Sequence, residues 1–371
     1  MNSREIALKI LVDTERGAYA NLALNKHFSR IQDENSNKKL AANIVYGVLT
    51  HRTFLDYIIQ KCSNIPLKKT SIFILNILRV GAYQIIFLDK IPDNSAVDEC
   101  VNLAKRYGHA ASAKYVNGVL RAVCVKYNSF TPSELNIKFS HPQWMIDMWI
   151  SDYGFAKTLE ILQANNTEGA ITYRGDEIQG LSSQQAVIAL DPKPGETVID
   201  VCAAPGGKSL YIAEFMQNLG RIIACDIFPH KLDLIVKNAE RLNIAIIEPY
   251  LWNGEVPRKE WLGIADRVLV DAPCSGLGVI HKKPDIKWKK SADDIIELSK
   301  MQFKILNSSS KYLKKGGRLV YSTCTINKTE NDGVINLFLE KNPNFRLIEV
   351  EQIFPDETHD GFFIAVLELS A

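Results

Sequence analysis

Apolar residues recur at three- and four-residue intervals from Ser3 to about Tyr127, with no alternating stretch among them. This predicts an all-helical bundle in the first third of the chain. The expected helices lie near residues 3–16, 38–61, 70–88, 95–107 and 110–127, with Pro66 and Pro92 as breaks. Ser95, followed by Asp98 and Glu99, reads as a helix start whose acidic residues sit where the helix dipole favours them. Residues 129–179 are less regular: Trp144, Met148 and Trp149 suit a short helix, and residues 165–180 read as a linker.

After Pro194 and Gly195 the pattern changes. Short β-rich runs near 197–201, 221–225, 245–251, 266–271, 317–323, 345–350 and 362–369 alternate with amphipathic stretches, notably 208–217, 229–242 and 293–313. Such alternation predicts a doubly wound, Rossmann-like α/β sheet. The chain thus divides into a helical domain (1–130), an intermediate region (131–180) and an α/β domain (181–371).

Composition refines this picture. With 371 residues and 46% hydrophobic content, the chain has enough apolar material for two or three buried cores. Charged residues interrupt the first seventeen positions, and no run is long and apolar enough to span a bilayer, so neither a signal peptide nor a membrane partner is expected. The seven cysteines show no Cys-x-x-Cys spacing, which argues against zinc and structural disulfides and for a reducing, cytoplasmic setting with no metal. A net charge of +2 conceals an asymmetry: residues 1–130 carry 18 Lys/Arg against 10 Asp/Glu, and residues 131–371 carry 26 against 32. A basic first domain suits a polyanionic partner, although a merely solvated basic surface would look the same.

The chemistry gathers at expected strand ends. The run 198–201 leads into Cys202-Ala203-Ala204-Pro205-Gly206-Gly207-Lys208 and then a helix, and open α/β sheets bind ligands at such carboxyl edges. Gly207-Lys208-Ser209 fits the end of a phosphate loop, but Cys202 stands where its first glycine belongs, and a Gly-x-Gly-x-x-Gly fingerprint is absent. A methyl-donor adenosyl cofactor remains. Asp226, twenty residues after Gly206, is placed to accept ribose hydroxyls; Asn253 is placed to meet an adenine amine or to serve as a turn residue before Gly254. Two further strands end in Asp271-Ala272-Pro273-Cys274-Ser275-Gly276 and Ser322-Thr323-Cys324-Thr325, delivering two cysteines to one edge. A lone strand-end cysteine is usually a small buried hydrophobe; two at one crevice weaken that explanation. His281 to Lys290 holds five lysines and one aspartate around Trp288, a pattern suited to RNA through Lys282, Lys283, Lys287 and Trp288, or to a solvated loop with a packed Trp.

These motifs, with Glu330-Asn331, resemble the RNA 5-methylcytosine methyltransferases, and the helical segment resembles the NusB-like RNA-binding domain, a pairing typical of bacterial 16S rRNA cytosine-C5 enzymes. The resemblance covers most of the chain, and its two-cysteine pattern is highly specific. It implies a class I fold with a seven-stranded mixed sheet, S-adenosyl-L-methionine as cofactor, and unassembled or partly assembled 16S rRNA as partner of a monomer. Cys324 would be the nucleophile, Cys274 would assist release, Asp271 would bond the cytosine near N3, and Pro273 would fix the turn. Cofactor contacts would come from Cys202 through Lys208, Asp226, Asn253 and Asp271. The chain departs from the pattern twice. Between Ile171-Thr172-Tyr173-Arg174 and Leu181 there is almost none of the usual RRM-like subdomain, and Asn253 stands where an aspartate is usual. The alternatives are an RNA-binding assembly factor with weak or no transfer activity, and the same chemistry on another RNA.

Overall fold

The computed structural model describes residues 2–30, 35–167, 169, 173–174, 177–178 and 180–370. The chain forms two compact units. The first comprises Met1–Ile150, Phe155–Asn166 and Ile280–Lys289, and the second Ser151–Gly154, Thr167–Val279 and Lys290–Ala371. The sequence pattern drew the first boundary near residue 130 and left 280–289 in the α/β domain.

Unit one is helical: α1 (Ser3–Glu15), α2 (Ala20–Phe28), α3 (Asn35–Thr50), α4 (Arg52–Cys62), α5 (Ile72–Phe87), α6 (Asp93–Tyr107), α7 (Ala110–Lys126) and α8 (Gln143–Ala164). Its main core joins Ile6, Ile10, Ile44, Leu55, Ile77, Val97, Val116 and Leu120. The expected helix 38–61 is two, because His51 leaves helical backbone and stacks on Phe87. α2 escaped the pattern, since it buries only Ala20, Ala23 and Leu24, too small a stripe to register. α6 starts at Asp93 behind Pro92 rather than at Ser95, and the short helix expected around Trp149 extends to Ala164 across a kink at Gly154. Ile171 and Thr172 lie outside the described residues, while Tyr173–Arg174 pairs antiparallel with Glu177–Ile178.

Unit two has seven strands in one sheet: β1 (Thr197–Asp200), β2 (Arg221–Asp226), β3 (Ile247–Leu251), β4 (Ala265–Asp271), β5 (Leu313–Thr323), β6 (Phe345–Ile353) and β7 (Phe362–Leu369). Their spatial order is 3-2-1-4-5-7-6; the first five run parallel and β7 is antiparallel to both its neighbours. The helices are α9 (Leu181–Leu190), α10 (Gly207–Phe215), α11 (Pro229–Arg241), α12 (Ala292–Ser309) and α13 (Asp332–Lys341). Successive residues point to opposite faces of a strand, and here both faces are covered. Val198, Ile222, Leu269, Val320 and Ile364 pack with α9 and α10; Ile199, Ile223, Val268, Leu319 and Phe363 pack with α12 and α13. Central strands buried on both sides read as continuous apolar runs, and their carboxyl ends converge on one edge.

Candidate active site

β1 ends at Asp200, and the loop 201–206 carries the chain into α10. Gly206 makes the turn at φ +110°, a conformation L side chains rarely adopt, and a Cβ there would press on Ile235 at 3.3 Å. Lys208 follows in the first turn of α10. Its Nζ donates to Asp271 Oδ2 at 2.6 Å, while Ser322 Oγ donates to Asp271 Oδ1 at 2.8 Å across the register that pairs Asp271 with Ser322. Lys208 is largely buried; Asp271, Asp200 and the neighbouring Cys324 outweigh that desolvation and hold its affinity for a proton above the usual value. A fixed positive charge therefore stands close to the Cys324 sulfur.

Fifty positions apart in sequence, Cys274 Sγ and Cys324 Sγ lie 3.3 Å apart, a hydrogen-bonding contact well beyond the ~2.05 Å of a covalent S–S bond. The Cys274 thiol is pushed far above its ordinary range, first by its hydrogen bond with Cys324 and then by burial. Both causes favour the protonated form of Cys274. The loop holding it is fixed from below: Ser275 N–H donates to Glu330 Oε2 at 2.8 Å, and Gln302 Nε2 donates both to Glu330 Oε2 at 2.8 Å and to the Pro273 carbonyl at 2.9 Å. Asn327 Nδ2 donates to Glu330 Oε1 at 2.6 Å, and Gly278 N–H to the Cys324 carbonyl at 3.0 Å. A Cβ at Gly278 would overlap the Gly361 carbonyl, so this close approach requires glycine. Gln302, Asn327 and Ser275 were not singled out from the sequence. Gln302 reads there as one polar residue of an amphipathic helix, and only the register of α12 beneath the loop reveals it.

A cavity of about 360 Å³ has both cysteines in its wall, together with Cys202, Ala204, Asp226, Asn253, Asp271 and Pro273. A second, of about 220 Å³, shares Cys202, Ala204 and Asp271 and adds Ala203, Pro205, Gly207 and Lys208. Every expected site residue of this unit except Gly206 lines one or both, and Gly206 shapes the loop instead. Asp226 accepts the Phe228 N–H at 3.0 Å, and Lys231 approaches it at 3.9 Å. Asn253 is exposed and its Oδ1 accepts the Glu255 N–H at 3.0 Å, so it serves as a turn residue while also lining the cavity.

The basic segment 281–290 is a correction. Lys287 is 0% exposed, with Nζ donating to the Thr50 carbonyl at 2.8 Å and to Asn166 Oδ1 at 3.4 Å, and burial pulls its affinity for a proton down. Trp288 donates its indole N–H to the Leu49 carbonyl at 2.8 Å, packs on the helical core and lies under the Arg52 guanidinium at 5.1 Å. Lys287 is an anchor of unit one and its buried ammonium is not available to RNA, while the half-buried Trp288 packs its indole on the same core. Lys282 is half-buried and Lys283 exposed. Among the described residues no cluster of His, Cys, Asp or Glu is arranged to hold a metal, and no helix is long and apolar enough to cross a membrane.

Residues 187–368 match the model of the 16S rRNA methyltransferase RsmB/F family, and residues 1–124 that of the NusB family. A probable ribosomal RNA small subunit methyltransferase B of Bacillus subtilis is 36% identical, with 97% of each chain covered. The chain belongs to the RsmB/F family. Its relative in Vibrio cholerae, ribosomal RNA small subunit methyltransferase B, is 31% identical over 88% of each chain. A crystal structure of PH0851 superposes with a TM-score of 0.78 over 99% of each chain at 24% identity, a likeness of fold. Members of the RsmB/F family depend on S-adenosyl-L-methionine. The cavity fits that group: Asp226, Asp271 and Glu255 line it, and a sulfonium with an ammonium suits an acidic wall.

Proposed function

We propose that this chain methylates C5 of a cytosine in 16S rRNA through a covalent adduct between Cys324 and C6 of the base. The observation that carries the reading is the 3.3 Å approach of two sulfurs beside an acid-lined cavity. Cytosine C5 is a poor nucleophile until a thiolate adds to C6 and makes the ring enamine-like. A free thiol, ionised near pH 8.5, is only a few per cent thiolate at neutral pH, about 1.5 units lower. The Lys208 ammonium supplies the compensating charge, and the Cys274 S–H donates to the Cys324 sulfur. Asp271, held by Lys208 and Ser322, is fixed to bond the cytosine edge near N3. Cys202 to Lys208, Asp226, Asn253 and Asp271 would hold the cofactor, which supplies an electrophilic methyl group.

Release follows from the same pair. Once Cys324 is a thioether, its charge and hydrogen bond, the first of the causes that keep Cys274 protonated, are gone, and burial with the nearby Glu330 and Asp271 carboxylates is what still opposes ionisation. Cys274 can then lose its proton to solvent and accept the C5 proton, while the electrons of that C–H bond re-form the double bond and expel Cys324 as thiolate. A base acted on in this way must leave the stack, so the target lies in a loop or is flipped.

The deciding experiment incubates the protein, Cys324→Ala and Cys274→Ala with methyl-labelled cofactor and 16S rRNA. Cys324→Ala transfers no methyl, and Cys274→Ala leaves a protein–RNA adduct that survives denaturation. Equal transfer by all three would refute the assigned roles, and label on another RNA but not on 16S rRNA would replace the substrate.

A further inference from the structure

The charge of the helical unit has no part in the chemistry above. From Cys100 to Ser133 the chain holds no Asp or Glu but five Lys or Arg, and from Tyr57 to Leu88 it again holds no acid, with Lys61, Lys68, Lys69 and Arg79. These segments come together, since α7 packs on both α4 and α6, and the Ser63 and Tyr115 hydroxyls lie 2.8 Å apart. Arg79 is buried and neutralised by Asp56 and Glu15, and Arg106 is paired with Glu5. Lys61, Lys105, Lys114 and Lys126 are exposed, and among the described residues none has a carboxylate within ion-pair distance. The acids nearest this face are Asp93, at the margin beside Cys124, and Asp98, exposed on α6 one turn before Val101.

The face also has a shape. Lys105, Lys114 and Asn117 line a shallow hollow between α6 and α7, about 640 Å³ in volume and floored by Ala113. Along α7, Lys114, Gly118, Arg121 and Val125 follow at helical spacing. Glycine in mid-helix is unfavourable relative to alanine, yet a Cβ at Gly118 would meet nothing within 4 Å. Among the described residues nothing packs against this position, and the glycine leaves the helix surface open between two cations. Val125 stands 81% exposed beyond them.

We infer that the α6–α7 face is a docking surface for the sugar–phosphate backbone of the RNA substrate. The inference rests on the reading of the chain as an rRNA enzyme and adds where the helical unit grips that RNA. Unpaired cations from Lys114 to Lys126, spread along roughly 18 Å of α7, match a line of phosphates. A protein partner would call instead for a buried aromatic and apolar centre, and this face offers one large apolar side chain.

The test is equilibrium binding of the full chain to a 16S rRNA fragment, read by fluorescence anisotropy across roughly 50–200 mM salt. Lys105→Glu/Lys114→Glu/Arg121→Glu weakens binding at least about tenfold and flattens the log–log salt dependence by about 2 to 3. Lys300→Glu/Lys315→Glu/Lys341→Glu, an equal change of charge elsewhere, keeps the wild-type slope. Gly118→Leu leaves the melting temperature unlowered, because the space is open, and still weakens binding. The inference is overturned if the two triple variants behave alike, or if affinity falls with an unchanged salt slope. Absence of RNA binding by the unmodified chain is a different failure: it removes the rRNA reading itself, and this surface with it.

Discussion

Lys208 Nζ and Asp271 Oδ2 lie 2.6 Å apart, joining the first turn of α10 to the end of β4, and beyond Asp271 the Lys208 ammonium senses Asp200 and then Cys324. This pair therefore orients the carboxylate and places a cation beside the attacking sulfur. Lys208→Met removes both effects. Methyl transfer in a single turnover should fall roughly 10²-fold, the scale of losing one preorganised electrostatic contact. The residual rate should rise toward higher pH, since the sulfur must then ionise unaided. A pH–rate profile parallel to wild type would assign Lys208 to cofactor binding alone.

Glu330 bears a different load. Its Oε2 accepts from Ser275 N–H and Gln302 Nε2, and its Oε1 accepts from Asn327 Nδ2. Glutamine has one acceptor oxygen, so Glu330→Gln sets an amide N–H against at least one buried donor. Stability should drop by about 2–4 kcal/mol in thermal or urea unfolding. Transfer should slow as the Cys274 loop loses its register. Cofactor affinity, measured by calorimetry, should stay within about twofold, because Glu330 does not line the cavity. A large loss of cofactor affinity with an unaltered transfer step would contradict this positioning role.

Much of this could be read from the chain, for reasons visible in particular residues. Val198-Ile199, Val268-Leu269-Val270 and Leu319-Val320-Tyr321 are buried on both faces and announce themselves as strands, so the edge bearing Cys274 and Cys324 follows from them. The support beneath that edge did not follow. Gln302 reaches Pro273 across 29 positions, and nothing in a helical pattern tells which polar residue turns inward. Lys287 was misread for a related reason. Lysine among lysines looks like a phosphate contact, whereas its burial depends on the carbonyl of Thr50, 237 positions away.

That misreading yields a test of its own. Trp288 is half-buried against the core of unit one, and its indole N–H satisfies the Leu49 carbonyl. Trp288→Ala removes the packing and leaves that carbonyl without its donor, so unit one should lose about 2–3 kcal/mol, toward the lower end for a large aromatic truncation. Lys283→Ala, at an exposed position in the same segment, should leave the melting temperature within about 1 °C. Equal stabilities, with RNA affinity lost only in Trp288→Ala, would restore the base-stacking role that its burial argues against.

Asp200 provides the pH dependence. Its carboxyl is buried and Oδ2 accepts from Ser209 Oγ at 2.6 Å; desolvation, reinforced by the nearby charge of Asp271, outweighs the hydrogen bonds from Ser209 and the Cys202 backbone and raises it from 3.8 to about 7. A group raised on folding binds its proton more tightly in the native state than in the unfolded one. Its contribution is therefore fully present below about pH 4 and is lost as pH rises through about 7. A change of that size corresponds to about 4 kcal/mol. Asp200→Asn holds a neutral side chain of the same shape, so it should gain on wild type steadily between those limits and be the more stable protein at pH 8. Urea unfolding of both proteins at several pH values measures the gap. A gap that stays constant with pH would mean that Asp200 is ionised in the folded chain throughout, with the Lys208 ammonium overcoming its burial.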